Sequence, residues 1–437
     1  MTLLPPGWSV QQLGDVATTA LGKMLDRGKA RGHSQVPYLR NVNVQWGRID
    51  TGDVLTMELA DDERDRFAVE KGDLLVCEGG EIGRAAIWHG RSEYIAYQKA
   101  LHRVRPSDAV ESRYLLHLLR HLAVSGQLAK HATGTTIAHL PQQQLRRLRI
   151  PVPPLEDQRR IVNILEDHLS RLDASVTGLD SASRRAMLLT LTSSMQAITR
   201  VGSTTTSRSV SYGDREVAVP RGWQASTVGD EASLVQYGTS SKTSEAADLD
   251  AIAVLRMGNL HGGAIMTDKL KYLPRDHPEV ASLLLQRGDL LFNRTNSAEL
   301  VGKSAVFDRD DNSMTFASYL IRVRFGPAVR PAWANLVINS PLGRAYIRSV
   351  ASQQVGQANV NGTKLKAFPL MLPPLDVQDR LLARHEAVDE TRRRLVAQVA
   401  QTRQRTSLLR RALLQAAFTG RLTETSSGLD RAEESIT

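Results

Sequence analysis

Two stretches of this chain constrain its fold more than any other feature: "IPVPPLEDQRRI" at residues 150–161 and "LMLPPLDVQDRL" at 370–381. Each places two adjacent prolines in front of a charged and aliphatic run. Proline fixes φ and lacks an N–H, so the pair is extended, while a helix tolerates proline in its first turn because those N–H groups have no intrahelical partner. Pro153 and Pro154, like Pro373 and Pro374, therefore read as helix openings. Their recurrence extends to almost the whole chain. "PPGWSVQQLGD" (5–15) answers "PRGWQASTVGD" (220–230), and "YLRNVN" (38–43) answers "VLRMGN" (254–259). "KGDLLV" (71–76) answers "RGDLLF" (287–292), and "RVR" at 103–105 recurs at 322–324. Self-similarity of this kind marks two copies of one structural unit, separated by small loop insertions.

The segments after the double prolines differ in kind from what precedes them. Val162, Leu165, Leu169, Leu172, Val176 and Leu179 alternate in steps of three and four, with no proline across 155–200. That is the seam of a coiled coil. Leu381, Val388, Leu395, Val399, Leu409 and Leu413 keep the period less regularly, with His385 and Arg392 at seam positions where local polar contacts are expected. A helix over 155–200 would span roughly 70 Å at about 1.5 Å per residue, with Gly178 the expected interruption. Gly420 fits a C-cap for the second helix. Two such helices need cover for their seams, and each other is the economical choice.

The preceding segments, 1–152 and 216–372, mix strands with helices. "DLLVC", "AAIWH", "LHRVRP", "DLLFN", "SAVFD" and "YLIRVRF" read as strands. Residues 113–129 and 332–350 read as helices, the latter broken at Pro341. The linker "RVGSTTTSRSVSYGDRE" (200–216), rich in Ser, Thr and Gly, is expected to be flexible. The fold class is α+β: two tandem pseudo-repeats, each a globular α+β domain followed by a long helix, the helices pairing as an antiparallel coiled coil. The expected boundaries are 1–152 for the first domain, 153–200 for its helix and 201–215 for the linker. The second domain takes 216–372, its helix 373–422, and an acidic tail 423–437.

With 41% hydrophobic residues in 437, the chain can bury substantial cores. A single cysteine, Cys77, excludes an internal disulfide and reads as a buried strand residue. No apolar run approaches the roughly 20 residues of a membrane span, and "MTLLPPGW" lacks a basic region followed by an apolar stretch, so no membrane partner is expected and the expected location is cytoplasmic. The net charge of +10 is carried by both halves rather than by one basic arm. An ordinary basic surface or two domains that each touch phosphate would both account for it.

The order "GW…LGD", "LR…N", "GDLL", then "PPL..Q" opening a long helix, twice in one chain, resembles the specificity subunit of type I restriction–modification systems. "PVPPLEDQRRIVNIL", "LPPLDVQDRLL" and the ending "LLRRALLQAAFTGRL" carry the resemblance most specifically. It implies two target-recognition domains, each reading one half of a split site in double-stranded DNA. It also implies that the helices pair antiparallel as a spacer docking methyltransferase subunits, two of them, with restriction subunits joining through the complex. S-adenosylmethionine, ATP and Mg would be used by those partners, and no cofactor would be bound by this chain. Asp157 and Val377 stand where the family usually has Glu before the glutamine.

Base edges and phosphates are held by Arg, Lys, Asn, Gln and small polar side chains. In the first copy the DNA-binding candidates are Arg40, Asn41, Asn43, Arg84 at the end of "EGGEIGR", Gln98, Lys99, Lys130, Thr135 and Thr136. In the second they are Arg256, Asn259, Asn293, Arg294, Asn296, Lys303, Ser318, Tyr319, Gln354, Gln357 and Asn359.

Signatures of catalysis are missing from the sequence. There is no GxxxxGK[ST] loop, no Asn/Asp-Pro-Pro-aromatic motif, and "EGGEIG" lacks the helix that a dinucleotide site demands. His117 and His121, four apart on an expected helix, have no third ligand nearby and read as a surface pair rather than a metal site. The carboxylates of "ADDERDRF" (60–67) read as a solvated helical face. No catalytic residue and no metal ligand is assigned. A second reading stays open: a non-catalytic coiled-coil assembly scaffold whose globular domains bind a partner other than DNA.

Overall fold

A computed structural model describes residues 4–25, 32, 34–90, 93–134, 138–199, 205–245, 250–311, 313–354 and 357–422. The chain is mixed α/β, with two long helices at Leu155–Thr199 and Leu375–Phe418. It divides into two compact units, one from the described residues of Met1–Asp180 and Val399–Thr437, the other from those of Ser181–Gln398.

In the first unit a four-stranded antiparallel sheet runs in the order Ala17–Leu21, Leu101–Pro106, Leu74–Cys77, Ala85–Ile87. A three-stranded sheet sets Ser34–Leu39 between Leu55–Leu59, antiparallel, and Ala96–Tyr97, parallel. The strand Leu74–Cys77 is buried along its length. It reads as a continuous apolar run because its two faces serve different cores. Leu74 and Val76 face the cluster with Tyr114, Leu118 and Ile161, whereas Leu75 and Cys77 face the cluster with Leu39, Trp88 and Tyr97. Burial pushes the Cys77 thiol up to about 11, which leaves it a packing group and not a nucleophile.

The second unit repeats this order. Ala232–Tyr237, Leu320–Phe325, Leu290–Asn293 and Ser304–Val306 form the four-stranded sheet, and Lys271–Pro274, Ala251–Leu255 and Met314–Phe316 the three-stranded one. The helix expected over 332–350 is two, Pro331–Asn339 and Pro341–Val350, with Pro341 opening the second and Ser340 capping it through Gly343 N at 3.2 Å. The helix expected over 113–129 covers Ser112–Val124.

The repeated motifs turn out to close each unit. In the first, Ser9–Gln12, just after Gly7 and Trp8, pairs antiparallel with Arg149–Val152, just before the double proline; in the second, Gln224–Thr227 pairs with Pro369–Leu372. The glutamine of "PPL..Q" then fastens the helix start. Gln158 is fully buried; its amide donates to Ala109 O and Pro153 O, each at 2.9 Å, and accepts from Glu111 N at 3.0 Å. Acidic Glu156 and Asp157 in the first turn, and Asp376 in the other helix, suit the positive end of the helix dipole.

Three expectations need correction. Gly178 does not interrupt the first long helix, since helical hydrogen bonding continues through it with open space beside it. The Ser/Thr-rich linker forms a hairpin, Thr205–Tyr212 with Arg215–Pro220, because Tyr212 is a fully buried ring packed edge-on to Phe368 at 6.1 Å. His117 and His121 are not a surface pair: His117 is buried with Nε2 3.2 Å from Glu166, and His121 lies against Phe418 at 5.4 Å.

Within the first unit the seam residues Val162, Leu165 and Leu169 are buried in the domain core together with Leu413, while Leu172 packs against that core. Val399 is buried, and Val176, Leu179, Leu381, Val388, Leu395 and Leu409 are half-buried. Arg410 pairs with Asp173 and Arg403 with Asp180. Arg392 pairs with Asp389 one turn earlier at 2.8 Å. Among the described residues, no helix is long and apolar enough to cross a membrane.

Candidate nucleic-acid interface

The "LR..N" motif makes the same turn in both units. Asn43 Oδ1 accepts from Arg40 N at 2.8 Å, and its Nδ2 donates to Asp50 O at 3.0 Å and Asp53 O at 2.9 Å. Asn259 Oδ1 accepts from Arg256 N at 2.9 Å, and its Nδ2 donates to Met266 O at 2.8 Å and Lys269 O at 3.2 Å. Both asparagines are buried with every amide group used internally. They are corrected from base readers to turn-formers. Asn293, with no exposed surface and Nδ2 directed at Leu300 O, is corrected likewise.

The loop that follows strand Leu74–Cys77 draws several remaining candidates together. Asn41 Nδ2 donates to Gly79 O at 2.9 Å; Arg84 Nη2 donates to Asn41 O at 3.1 Å, and Arg84 Nη1 meets Glu81 at 3.4 Å. Arg84 thus braces the loop. Glu78 N donates to Ala100 O at 3.0 Å, next to exposed Lys99 and half-buried Gln98, and Gly79 bridges to His139, which bridges to Thr133. Lys130 is exposed on the turn Leu128–His131 leading into that segment. Thr135 and Thr136 lie outside the described residues. Arg40 is paired with Asp53 at 2.7 Å.

In the second unit the matching loop is built as a small sheet, Thr295–Asn296 with Gln357–Asn359 and Ser352–Gln354. Arg294 N donates to Tyr319 O at 3.0 Å, and Ser318 N to Thr239 O at 2.7 Å. Arg294, Asn296, Ser318, Tyr319, Gln357 and Asn359 are therefore neighbours along one set of loops, with Tyr319 and Gln357 exposed. Gln354 contributes backbone to the same sheet. Asn359 Nδ2 donates to Thr295 Oγ1 at 2.8 Å, and Asn296 Oδ1 accepts from Ser297 N at 2.9 Å. Lys303 instead lines a cleft of 1010 Å³ with His261, Asn335, Asn339, Arg344 and Asp389. Arg256 is half-buried beside its turn.

Sequence reasoning missed Tyr237. Its ring is 41% exposed with the Arg294 guanidinium 5.0 Å from its centroid, and its hydroxyl accepts from Gly362 N at 2.7 Å. The available signal was the glycine after it. A Cβ on Gly238 would stand 2.2 Å from Phe316 O, and one on the matching Gly22 would stand 2.3 Å from Tyr97 O. Such close backbone approach at equivalent places marks the edge of the same loop cluster.

These loops combine unpaired or adaptable polar side chains, lysines and a stacked arginine on a hydrogen-bonded scaffold, which suits phosphate and base contacts. Among the described residues, no group of three or more His, Cys, Asp or Glu side chains is placed to hold a metal.

Residues 5–179 match the family described as the type I restriction modification DNA specificity domain. The chain is 23% identical over 429 residues to the StySPI specificity subunit of a type I restriction enzyme from Salmonella potsdam, covering 96% of this chain and 90% of that one. It is 23% identical over 430 residues to the EcoKI specificity subunit from Escherichia coli K12, with the same coverages. Among solved structures, a chain from work on complex assembly and conformational transition of the type I R-M system superposes with a TM-score of 0.71 at 18% identity. That match covers 95% of this chain and 98% of the other. The HsdS subunit of Thermoanaerobacter tengcongensis superposes with a TM-score of 0.55 at 17% identity, with equal coverages. At such identities the superpositions speak for the fold.

Proposed function

Because the chain belongs to the family of type I restriction–modification specificity subunits, we propose that it reads a bipartite DNA target, one half-site through each globular domain. The loops around Asn41, Arg84, Gln98, Lys99 and Lys130 face one half-site in this reading. Those around Arg294, Asn296, Ser318, Tyr319, Gln357 and Asn359 face the other. The observation that carries the proposal is the recurrence of one loop scaffold in both units with different side chains mounted on it. A shared scaffold with divergent side chains is what reading two different half-sites requires.

The long helices act as an antiparallel coiled-coil spacer and dock two methyltransferase subunits, through which restriction subunits join. The two cross-helix ion pairs support this: Arg410 lies seven residues after Arg403, while Asp173 lies seven before Asp180, so partners run in opposite directions. The chain itself supplies recognition. Methyl transfer and ATP-dependent cleavage, with S-adenosylmethionine, ATP and Mg, belong to the partner subunits.

Phosphate contacts release counterions, so the logarithm of affinity falls linearly with the logarithm of salt. Duplex binding by this chain, co-purified with its methyltransferase subunits, is the test. A steep fall in affinity between about 50 and 200 mM salt, together with preference for one split sequence, supports the proposal. Salt-insensitive, sequence-indifferent behaviour would support a scaffold whose domains bind something other than DNA.

A further inference from the structure

Glu78 and Arg294 occupy one backbone slot in the two units. Glu78 N donates to Ala100 O at 3.0 Å, and its carbonyl accepts from Leu140 N at 2.7 Å. Arg294 N donates to Tyr319 O at 3.0 Å, and its carbonyl accepts from Val360 N at 2.9 Å. The residue after each continues the same frame: Gly79 bridges to His139, and Thr295 pairs with Asn359. Both slot residues are half-buried at the loop cluster; Arg294 lies over the Tyr237 ring, and the Glu78 carboxylate is near enough to buried His102 to act on its proton affinity. One frame, held on both sides by backbone bonds, therefore presents opposite charges and opposite hydrogen-bonding polarity.

Repulsion disfavours a carboxylate at a surface that meets phosphates unless it accepts from an amine. An arginine there could serve any phosphate, but Arg294 is not free to roam. Its guanidinium is stacked on Tyr237, whose hydroxyl is fixed by Gly362 N. A planar fork held by an aromatic face suits a planar base edge better than a mobile phosphate. Arginine pairs bidentately with guanine O6 and N7, and a glutamate accepts from the cytosine N4 amine.

The geometry points to this slot as the specificity-determining position of each unit, with Arg294 reading a guanine in one half-site and Glu78 a cytosine in the other. This inference rests on the proposed DNA-reading function and assigns the chemistry within it.

The test uses the complex of this chain with its methyltransferase subunits on a duplex library randomised across both half-sites, read out as methylated sequences. Wild type should require a guanine in one half and a cytosine in the other. Arg294→Gln should shift the first position from guanine toward adenine, whose N6 and N7 suit glutamine, and Arg294→Lys should lower discrimination there about tenfold or more. Glu78→Gln should relax only the second position. In each variant the untouched half-site keeps its wild-type preference, which also reports an intact complex. A uniform fall in methylation with both preferences unchanged would overturn the slot assignment while leaving the bipartite reading in place. Absence of any split preference in wild type would overturn both.

Discussion

Arg322 and Asp289 form an ion pair with both side chains out of solvent, Nη1 to Oδ2 at 3.5 Å, and Arg324 adds a bidentate pair to the same carboxylate at 2.8 and 3.0 Å. Burial lowers the affinity of Arg322 for its proton and the Asp289 charge opposes that. In the first unit Asp73 holds Arg105, at 2.7 and 2.9 Å, and accepts from Glu70 N at 2.7 Å; that arginine is 35% exposed and also pairs with the Glu70 carboxylate at 2.9 Å. Removing Asp289 leaves the buried Arg322 without an opposing charge, whereas removing Asp73 leaves Arg105 within reach of water and still paired with Glu70. Asp289→Ala is expected to cost about 3–5 kcal/mol. Asp73→Ala should cost less, about 2 kcal/mol after solvent screening. Denaturant unfolding of both variants checks the order; equal costs would contradict it.

Gln378 repeats every bond of Gln158. Its amide donates to Ala328 O and Pro373 O, each at 2.9 Å, and accepts from Arg330 N at 2.9 Å. Replacing either by leucine leaves two carbonyls and an N–H unpaired in a buried place. Each of Gln158→Leu and Gln378→Leu should therefore cost about 3 kcal/mol or more. Hydrogen exchange should quicken selectively at Glu111 N in the first and at Arg330 N in the second.

His102, His117 and His121 all have proton affinities lowered by burial, with Glu166 partly offsetting this at His117. The unfolded histidines, near 6.5, bind protons that the folded ones refuse. Stability should thus be level above about pH 7 and fall as pH drops below 6.5 toward the depressed folded values. Thermal unfolding across pH 5–8 measures this. A variant carrying His102→Gln and His117→Gln should show a flatter acid limb.

The antiparallel register proposed for the long helices can be trapped directly. In a Cys77→Ala background, Asp173→Cys with Arg410→Cys should cross-link on oxidation. Asp173→Cys with Arg403→Cys should not, because seven helical residues displace the pair by about 10 Å. Cross-linking of the mismatched pair alone would contradict the register.

Much of this architecture was legible because the chain says it twice. The double prolines mark helix openings because fixed φ and missing N–H groups act locally and the pattern occurs twice. The strands Leu74–Cys77 and Leu290–Asn293 were readable from apolar runs after "GD". The hairpin at 205–220 was not, because a polar Ser/Thr segment declares neither its register nor the burial of Tyr212. The candidate interface was legible as a set of loops and not as residues. Asn43 and Asn259 have the right chemistry for bases but spend it on their own turns, and Asn293 is withdrawn from solvent altogether; only the folded structure separates such residues from Gln98 or Gln357. Tyr237 and Glu78 were passed over because exposure and a shared backbone slot are properties of the folded units.

The central claim, that each unit reads its own half of a split target, is tested most directly by exchanging residues 216–372 for the equivalent segment of a similar specificity subunit and mapping methylated bases genome-wide. The account predicts that one half of the motif changes while the other half and the gap between them stay as they were. A motif altered in both halves, or unaltered in either, would contradict it.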